Sequence, residues 1–377
     1  MSASATKVLY IAIWLLSFAF ALMAQKTVSV NGKKKTILRK LPFAISFLIP
    51  WFFYAFTDIS HDYDTYANIY EIVTWENFDT LWIEPGYAVF NLLIKFFVKD
   101  SVTGIIIIKT IHVLLVYAAI YDYREKAHIG FAVLGYVSLM YLDAFCMIRI
   151  NLAAALILYA ISLYQNHDKK LLAVILTVCA VTIHYSAVIF VGCFLTYILL
   201  FRNIRKYYYT KLVILCGILL ALSVVAVSLM NYVLNHVEFL SKYAEKYTTI
   251  QSSGLGIMQI VFHLPFVLVA IETWHIASRT DPTQAKIFAI ALILAPFSLF
   301  FGSMGYSVEV IGRCFVYFIY LWSVVLPAYY TWRKNIKPNE ALVIGALIFV
   351  WSALRFYLYL EDHLGPAGIE QYYFVWQ

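Results

Sequence analysis

The chain opens with an apolar run, VLYIAIWLLSFAFALMA at residues 8–24, followed at once by QKTVSVNGKKKTILRK at residues 25–40. A helix made from the first segment is long and apolar enough to enter a bilayer as an anchor. The second segment carries a cluster of cations: Lys26, Lys33, Lys34, Lys35, Arg39 and Lys40. Because such cations stay on the cytoplasmic side, the run is predicted to be a membrane anchor with its N-terminus outside, and not a cleaved signal peptide.

The rest of the chain has the same apolar character. Of its 377 residues 63% are hydrophobic and 13% are charged, whereas soluble domains contain about 25% charged residues. Repeated apolar segments predict an all-α, polytopic membrane protein with about twelve transmembrane helices in one unit, residues 1–377. The predicted spans are 8–24, 41–56, 102–121, 129–142, 150–165, 171–183, 185–201, 212–231, 257–276, 287–302, 313–332 and 340–359. The net charge of +7 is attributed to loop topology and not to nucleic-acid binding.

The charge distribution predicts one orientation. With the N-terminus outside, most of the 28 Lys and Arg residues fall in the alternate loops, which are then cytoplasmic. Acidic residues instead gather in one outer loop that holds no Lys or Arg: Asp58, Asp62, Asp64, Glu71, Glu76, Asp79 and Glu84. Both termini and any active site are therefore predicted on the outer face.

The outer segment 57–101 combines carboxylates with tyrosines. The spacing of Asp62, Tyr63, Tyr66 and Tyr70 predicts that one helical face collects them. Such a face can accept hydroxyl protons and stack on sugars, and the alternative is an acidic, solvated loop. The apolar stretch 87–97 is too short to cross, which predicts a helix that lies at the outer interface or re-enters the membrane.

Three arginines lie toward the predicted outer side of the membrane, which is unusual under the positive-inside rule. Arg149 and Arg313 each lie among apolar residues at an outer boundary, and Arg355 lies in the outer half of the last span. A guanidinium at this depth needs an anion, and its planar fork fits a pyrophosphate. The alternatives for the first two are snorkelling anchors or ion pairs, with Asp143 and Glu309 respectively as partners.

Two further outer features are candidate site elements. His184 interrupts an apolar run, residues 171–201, that is too long for one span, so a turn is predicted there. Its imidazole is a candidate general base, and the alternative is a polar group satisfied by its neighbours. The outer loop 235–256 has Lys and Tyr at i, i+4 spacing, which predicts a cover for phosphate and sugar or a solvated lid. The residues concerned are Lys242, Tyr243, Lys246 and Tyr247.

Metal and disulfide chemistry are not predicted. The cysteines lie singly in or beside apolar segments, which predicts buried thiols. They are Cys146, Cys179, Cys193, Cys216 and Cys314. No histidine pair has HExxH spacing. The alternative is a divalent cation on the two carboxylates of Asp62-Tyr63-Asp64.

The order of these features resembles the EpsG family of bacterial exopolysaccharide polymerases, relatives of the Wzy polymerases. The residues that carry the resemblance are Asp62-Tyr63-x-x-Tyr66-x-x-x-Tyr70, Glu84-Pro85-Gly86-Tyr87, Asn91-Leu92-Leu93, Arg149 with Ala153-Ala154-Ala155, and His184-Tyr185-Ser186-Ala187. They lie in the first half of the chain. Beyond them only Lys242-Tyr243, Arg313 and the hydropathy pattern support the likeness.

This resemblance implies a membrane-embedded glycosyltransferase of the C type (GT-C) in the bacterial plasma membrane. Undecaprenyl pyrophosphate-linked oligosaccharides would be both donor and acceptor. The growing chain would pass to the non-reducing hydroxyl of another lipid-linked repeat unit, with inversion and without a metal or other cofactor. The implied partners are membrane lipid, a chain-length regulator and a flippase, and no nucleic-acid partner is implied.

The resemblance and the residues together suggest a division of roles. Arg149 would stabilise the leaving pyrophosphate, and Asp62, Asp64 or His184 would take the proton of the attacking hydroxyl. The expected substrate-binding residues are Arg313, Arg355, Tyr63, Tyr66, Tyr70, Glu84, Lys242, Tyr243 and Lys246.

Three other functions fit a polytopic chain. The nearest is an O-antigen-ligase-like glycosyltransferase, which performs the same chemistry on a different acceptor. A lipid-linked oligosaccharide flippase or other transporter should show paired hydropathy halves or broken helices at the membrane midplane. Here the hydropathy shows no repeat, and Lys109 and Glu272 are the main charges away from the outer rim. A membrane O-acyltransferase would rest on His184 alone.

Overall fold

The computed structural model describes residues 1–30, 33–196, 208–236, 262–263, 266–269, 271–272, 287, 295–302 and 312–377. The helices are α1 Ala3–Ala24, α2 Lys40–Ala55, α3 Tyr63–Ile72, α4 Pro85–Phe97, α5 Ser101–Asp122, α6 Ile129–Leu139, α7 Asp143–Cys146, α8 Ile148–His167, α9 Lys170–Ile183, α10 Ala187–Thr196, α11 Tyr208–His236, α12 Val316–Ile336, α13 Pro338–Asp362 and α14 Leu364–Ala367. The strands β1 Gln25–Val30 and β2 Lys33–Leu38 pair antiparallel.

These helices confirm an all-α membrane protein. Four of them, α1, α5, α8 and α13, are long and apolar enough to cross a membrane by length and composition. The other apolar helices in the described part are shorter, α2, α4, α6, α9, α10 and residues 213–222 of α11. The count of about twelve crossing helices stays a prediction. The basic segment after α1 is not a loop, because it forms the β1–β2 hairpin.

The chain divides into two compact units. Unit 1 comprises Met1–Ala187 and Tyr320–Gln377, and unit 2 comprises Val188–Ile319. One functional unit spanning residues 1–377 stays a prediction. The segments 57–100, 143–149 and 184–186, which form the candidate site, all lie within unit 1.

A proline inside α2 shows how the membrane-embedded backbone is satisfied. Pro50 has no N–H to give to the carbonyl of Ser46, and an unpaired carbonyl in an apolar interior costs several kcal/mol. The hydroxyl of Tyr117 donates to that carbonyl oxygen at 2.5 Å. The hydroxyl of Tyr141 donates to the carbonyl oxygen of Pro50 itself at 3.1 Å. Tyr117 thus supplies the hydrogen bond that Pro50 cannot give to the Ser46 carbonyl, and Tyr141 adds one at the proline itself.

Helix α8 lies at the centre of unit 1, packed against α5 and α9. Its three consecutive alanines, 153–155, are fully buried, and small side chains let helices approach closely. The first turn of α8 is tied to α5 and α12, because the hydroxyl of Tyr320 donates to Asn151 Oδ1 at 2.7 Å and lies 2.8 Å from His112 Nε2. This network fixes the end of α8 that carries Arg149.

The connections of unit 1 collect at two ends. We call the first the acidic end, residues 57–100, 143–149, 184–186 and 363–377. There the Cys146 thiol donates to the carbonyl oxygen of Ala367 at 2.7 Å, and the backbone N–H of His61 donates to the same oxygen at 3.3 Å. These are the segments that the sequence assigns to one side of the membrane.

The opposite end gathers the cationic connections. We call it the basic end, residues 25–30, 33–39, 123–128, 166–170 and 330–337. Gln25 Nε2 donates to the carbonyl oxygen of Arg124 at 3.3 Å, and Lys126 Nζ donates to Asn166 Oδ1 at 2.7 Å. The predicted alternation of connections therefore holds within unit 1, whereas the side of the membrane that each end faces stays a prediction.

The cysteines are only partly as predicted. Cys193 and Cys314 are buried, Cys146 is half-buried, and Cys179 and Cys216 are exposed. The prediction of buried thiols is wrong for the last two, because they lie on faces of α9 and α11 that no other described segment covers. An apolar environment on such faces would come from lipid.

Candidate active site

The centre of the acidic end is an ion pair between Arg149 and Glu84. Arg149 lies in the first turn of α8, Glu84 immediately precedes α4, and Arg149 Nη1 contacts Glu84 Oε2. Their side chains are 17% and 5% exposed, so both charges are largely removed from solvent. A buried pair of this kind needs close geometry to offset its desolvation.

Three aromatic rings surround the guanidinium. Arg149 Cζ lies 5.5 Å from the ring centroid of Trp82, 5.8 Å from that of Tyr87 and 6.0 Å from that of Tyr66. Cation–π attraction at these distances stabilises a buried charge by about 0.5–2 kcal/mol per ring. Burial raises the pKa of Tyr66, and the Arg149 cation partly opposes that rise, so the phenol stays neutral.

The position of Arg149 is electrostatically unusual. The N-terminus of a helix carries a positive partial charge and favours anions, yet here it carries a cation. Arg149 Nε is buried and has no hydrogen-bond partner among the described residues. Glu84 therefore neutralises one side of the guanidinium, while the helix terminus and Nε remain suited to a second anion.

Gly86 explains how α4 reaches this position. A Cβ atom added there would lie 2.6 Å from the backbone carbonyl carbon of Thr182, closer than any real contact. Only glycine lets α4 pack this tightly against the end of α9. The close approach brings Glu84 to the turn that contains His184, two residues after Thr182.

The predicted turn at His184 is confirmed. Helix α9 ends at Ile183 and α10 begins at Ala187, with His184 in an extended conformation between them. His184 Nδ1 lies 2.7 Å from the Ser186 hydroxyl oxygen. Burial raises the pKa of Tyr185, and the Glu84 carboxylate adds to the rise, which places this turn within electrostatic reach of the ion pair.

Helix α3 lies alongside the first half of α5. The Tyr63 ring centroid is 5.2 Å from Lys109 Nζ, the Tyr70 ring packs on Gly104, and Ser101 Oγ donates to Glu71 Oε1 at 2.8 Å. The helix thus packs along the side of α5 and does not extend beyond its end. The segment is not a solvated loop, because the burial of its tyrosine rings outweighs the cost of removing its polar groups from water.

The predicted helical face is only partly realised. Tyr63, Tyr66 and Tyr70 share the buried face of α3, whereas Asp62 and Asp64 are exposed. Asp62 precedes the helix, so its carboxylate does not lie among the rings. The segment therefore separates its aromatic and acidic groups, which the spacing alone places together.

Helix α4 has the predicted amphipathic form. It spans Pro85–Phe97 and buries Tyr87 and Asn91, while Phe96 and Phe97 are exposed. Lys95 Nζ donates to the carbonyl oxygen of Glu71 at 2.8 Å, which caps the end of α3. The exposed phenylalanines suit an apolar surrounding such as the membrane interface.

Other predicted site residues lie elsewhere. Asp143 interacts with Tyr359, His363 and Arg355, and so is not the partner of Arg149 that one alternative named. Burial raises the pKa of the Asp143 carboxyl, and these three neighbours oppose that rise. Arg313 is exposed and belongs to unit 2.

The remaining predicted residues fall outside the described residues, namely Lys242, Tyr243, Lys246, Tyr247 and Glu309. In the part of the chain that the structure describes, no three or more His, Cys, Asp or Glu side chains are grouped so as to hold a metal ion.

Two contributors to the acidic end are not predicted by the sequence. One is Lys109, which appears in the sequence only as a stray charge within a span. The other is the C-terminal segment 363–377, where the carbonyl oxygen of Tyr373 accepts a 2.7 Å hydrogen bond from the Thr57 hydroxyl. The segment has no periodicity, so no sequence signal reveals where it packs.

The model of the EpsG family matches residues 40–374, nearly the whole chain. This chain belongs to the EpsG family. No curated relative and no solved structure matches it. EpsG membership indicates a bacterial membrane protein with a polysaccharide-polymerase type of function. The match extends the likeness beyond the first half of the chain, where the sequence motifs end.

Proposed function

We propose that this EpsG-family protein polymerises a polysaccharide from lipid-linked repeat units on the outer face of the bacterial plasma membrane. Donor and acceptor are oligosaccharides linked to undecaprenyl pyrophosphate. The enzyme is a GT-C-like glycosyltransferase with about twelve crossing segments. The observation that carries the proposal is the buried Arg149–Glu84 pair at the start of α8, surrounded by aromatic rings.

In the donor half of the site, Arg149 faces the pyrophosphate. Charge develops on the phosphate oxygen as the bond from the anomeric carbon breaks, and a fixed cation lowers that barrier most. Glu84 holds one edge of the guanidinium, so its orientation is set before the substrate arrives. The positive terminus of α8 acts in the same direction as Arg149.

In the acceptor half, the hydroxyl of the second repeat unit attacks the anomeric carbon from the opposite side. The new glycosidic bond forms as the bond to pyrophosphate breaks, which gives inversion. The hydroxyl proton passes to a base, and undecaprenyl pyrophosphate leaves as the second product. Asp62, Asp64 and His184 are the candidate bases.

Among the candidate bases, His184 has the most support. It follows the end of α9, where Thr182 packs against Gly86, and its neighbour Tyr185 lies within electrostatic reach of Glu84, whereas Asp62 and Asp64 face solvent. A base at Nε2 requires that Nδ1 carry the proton and donate it to Ser186 Oγ, which the 2.7 Å separation permits. The rings of α3, Trp82 and Tyr87 supply apolar faces on which a sugar can stack.

The deciding experiment uses repeat units from the protein's own host. Undecaprenyl-linked oligosaccharide is extracted from a strain that lacks this gene and incubated with the purified protein in nanodiscs. A ladder of products that differ by one repeat unit supports the proposal. Absence of a ladder, with intact lipid-linked substrate recovered, refutes it.

The same assay separates the alternatives. A flippase leaves the substrate chemically unchanged. A ligase makes no ladder from lipid-linked units alone and requires a different acceptor. Replacing the second unit by such an acceptor and observing a single transfer would therefore identify a ligase.

A further inference from the structure

Lys109 is a fully buried cation within a membrane-crossing helix. It lies about 12 Å along the axis from the first residue of α5, at about 1.5 Å per residue. Its ammonium donates to the carbonyl oxygen of Thr57 at 2.7 Å and lies 5.2 Å from the ring centroids of both Tyr54 and Tyr63. An ammonium has three N–H donors, and one backbone acceptor uses a single one of them.

Two other polar groups beside Lys109 are also incompletely satisfied. The Tyr63 hydroxyl and Asp58 Oδ1 are buried and have no hydrogen-bond partner among the described residues. The Asp58 carboxylate interacts electrostatically with both Lys109 and Tyr63. Burial and the nearby carboxylates raise the pKa of Tyr63, so its hydroxyl remains a donor. Buried polar atoms without partners are rare in folded proteins because each costs about 1–3 kcal/mol.

The backbone between these groups is strained. Ser60 has a φ of 125°, a value that side chains disfavour. Strain of this kind costs about 1–3 kcal/mol and gathers at ligand sites. Two hydrogen bonds hold Thr57, three residues before Ser60. Lys109 Nζ donates to the Thr57 carbonyl oxygen, and the Thr57 hydroxyl donates to the carbonyl oxygen of Tyr373 in the C-terminal segment. The conformation at Ser60 is therefore imposed by the surrounding packing.

We propose that Lys109, Asp58 and Tyr63 form a saccharide subsite that binds the hydroxyl groups of a sugar ring in the lipid-linked substrate. The inference rests on the proposed polymerase function. A cation and a carboxylate together carry no net charge, which suits a neutral, hydroxyl-rich ligand. Hydroxyls both donate and accept, so a sugar can satisfy Asp58, the Lys109 ammonium and the Tyr63 phenol together.

The subsite is distinct from the residues proposed to hold pyrophosphate. Tyr63 and Tyr66 lie on the same buried face of α3, and Tyr66 faces Arg149 while Tyr63 faces Lys109. One turn of helix therefore separates a group beside the proposed phosphate position from one beside the proposed sugar position. A lipid-linked saccharide has this same order of phosphate followed by sugar.

Tyr63→Phe tests the subsite with little structural change, because the hydroxyl removed has no partner among the described residues. The matched control is Tyr136→Phe, whose hydroxyl is likewise buried and unpartnered there but lies on α6. With the host's extracted repeat unit as the probe, Tyr63→Phe should raise the KM about 3–10-fold with kcat little changed. Asp58→Asn should raise the KM about 10–100-fold. Tyr136→Phe should leave both constants unchanged.

A second measurement separates this inference from the proposed function. Free oligosaccharide, released from the extracted lipid by mild acid, is tested for binding by saturation-transfer NMR. Binding to the wild type that is weakened in Tyr63→Phe but not in Tyr136→Phe supports the subsite even if no polymer forms. A ladder from the wild type with unchanged KM in Tyr63→Phe and Asp58→Asn overturns the subsite and leaves the polymerase intact. Equal effects of the two phenylalanine variants also overturn it.

Discussion

The acidic and basic ends of unit 1 each contain an arginine–glutamate pair, but the two pairs differ in burial. At the acidic end Arg149 pairs with Glu84, and at the basic end Arg333 pairs with Glu340 at 3.2 Å. Each arginine also lies near aromatic rings, since Arg333 Cζ is 5.2 Å from the Trp332 centroid. The carboxylates differ, with Glu84 only 5% exposed and Glu340 47% exposed.

Burial decides what such a pair does. A solvent-exposed pair adds little stability, because water screens it and the side chains lose entropy. A buried pair pays desolvation for both charges, and breaking it leaves one charge unpaired. The acidic end therefore keeps a costly arrangement that a well-packed apolar pair could replace without loss of stability, which fits a catalytic site.

Backbone strain differs between the ends in the same way. Ser60 and Asp168 are the non-glycine residues with positive φ in the described part of the chain, at 125° and 53°. Asp168 ends α8 in the left-handed conformation that aspartate tolerates at helix termini. Ser60 lies in a region that favours glycine alone. The positive φ of Asp168 at the basic end therefore involves little backbone strain, whereas that of Ser60 at the acidic end is strained.

The largest effect is expected from the arginines. Arg149→Ala should lower the rate of polymer formation by about 10²–10³-fold or more, because it removes the charge that stabilises the leaving pyrophosphate. Arg333→Ala should leave the rate unchanged. Gel analysis of the product ladder, with membrane insertion verified for both variants, measures this. Equal activity of the two variants would show that the ends do not differ in function.

The histidines give the next comparison. His184→Ala should lower kcat by about 10²-fold with little change in KM, because a general base is lost. His167 at the basic end, which pairs with Asp122 at 3.2 Å, is the control, and His167→Ala should be neutral. Initial rates over a range of substrate concentrations separate kcat from KM. A normal kcat in His184→Ala would move the role of base to Asp62 or Asp64.

The carboxylates test stability and not only activity. Glu84→Ala should lower the free energy of unfolding by about 3–5 kcal/mol, because it leaves the Arg149 charge buried without its partner. Glu340→Ala should change the melting temperature too little to measure. Thermal unfolding in detergent micelles compares the two, and the double variant Arg149→Ala/Glu84→Ala should recover part of the loss. A lack of such recovery would argue that the two side chains do not act as a pair.

A glycine pair tests the approach of α4 to α9. Gly86→Ala should separate the two helices and reduce polymer formation by about 10-fold or more, since a small misplacement of catalytic groups is costly. Gly192→Ala is the control, because a Cβ added there meets no described atom within 4 Å. Ladder formation and melting temperature are measured together. Wild-type activity in Gly86→Ala would show that this close contact does not set the geometry.

The smallest effect concerns the strained serine. Ser60→Gly should raise the free energy of unfolding by about 0.5–2 kcal/mol, because relief of strain exceeds the entropy cost of glycine. Asp168→Gly should change it by a few tenths of a kcal/mol. Melting temperatures of the two variants provide the test. A larger gain from Asp168→Gly would reverse the contrast between the ends.

Much of the architecture was predictable because each signal is local. Among the described residues, the apolar helices overlap the predicted spans along most of their length, since an apolar segment in lipid must satisfy its own backbone. The predicted span 257–276 lies largely, and 287–302 partly, outside the described residues. The turn at His184 and the alternation of connections follow from segment length and charge. The sequence does not predict the β1–β2 hairpin, because a cluster of cations between two apolar segments is typical of a loop.

The site was predictable in its members but not in its contacts. Sequence named Arg149, Glu84, His184 and the α3 tyrosines as candidates. It did not pair Arg149 with Glu84, because they are 65 positions apart and no periodicity links them. Lys109 is an isolated charge in the sequence, because the groups that surround it in the structure come from α2, α3 and their connection.

The sequence alone determined that this chain is a membrane protein of the EpsG family with its acidic and basic connections at opposite ends, because hydrophobicity and charge act residue by residue. Only the tertiary structure decided which cation meets which carboxylate and which hydroxyls remain unpaired. Those outcomes depend on how closely helices distant in sequence approach, and that distance is set by side-chain shape at contacts such as Gly86 with Thr182.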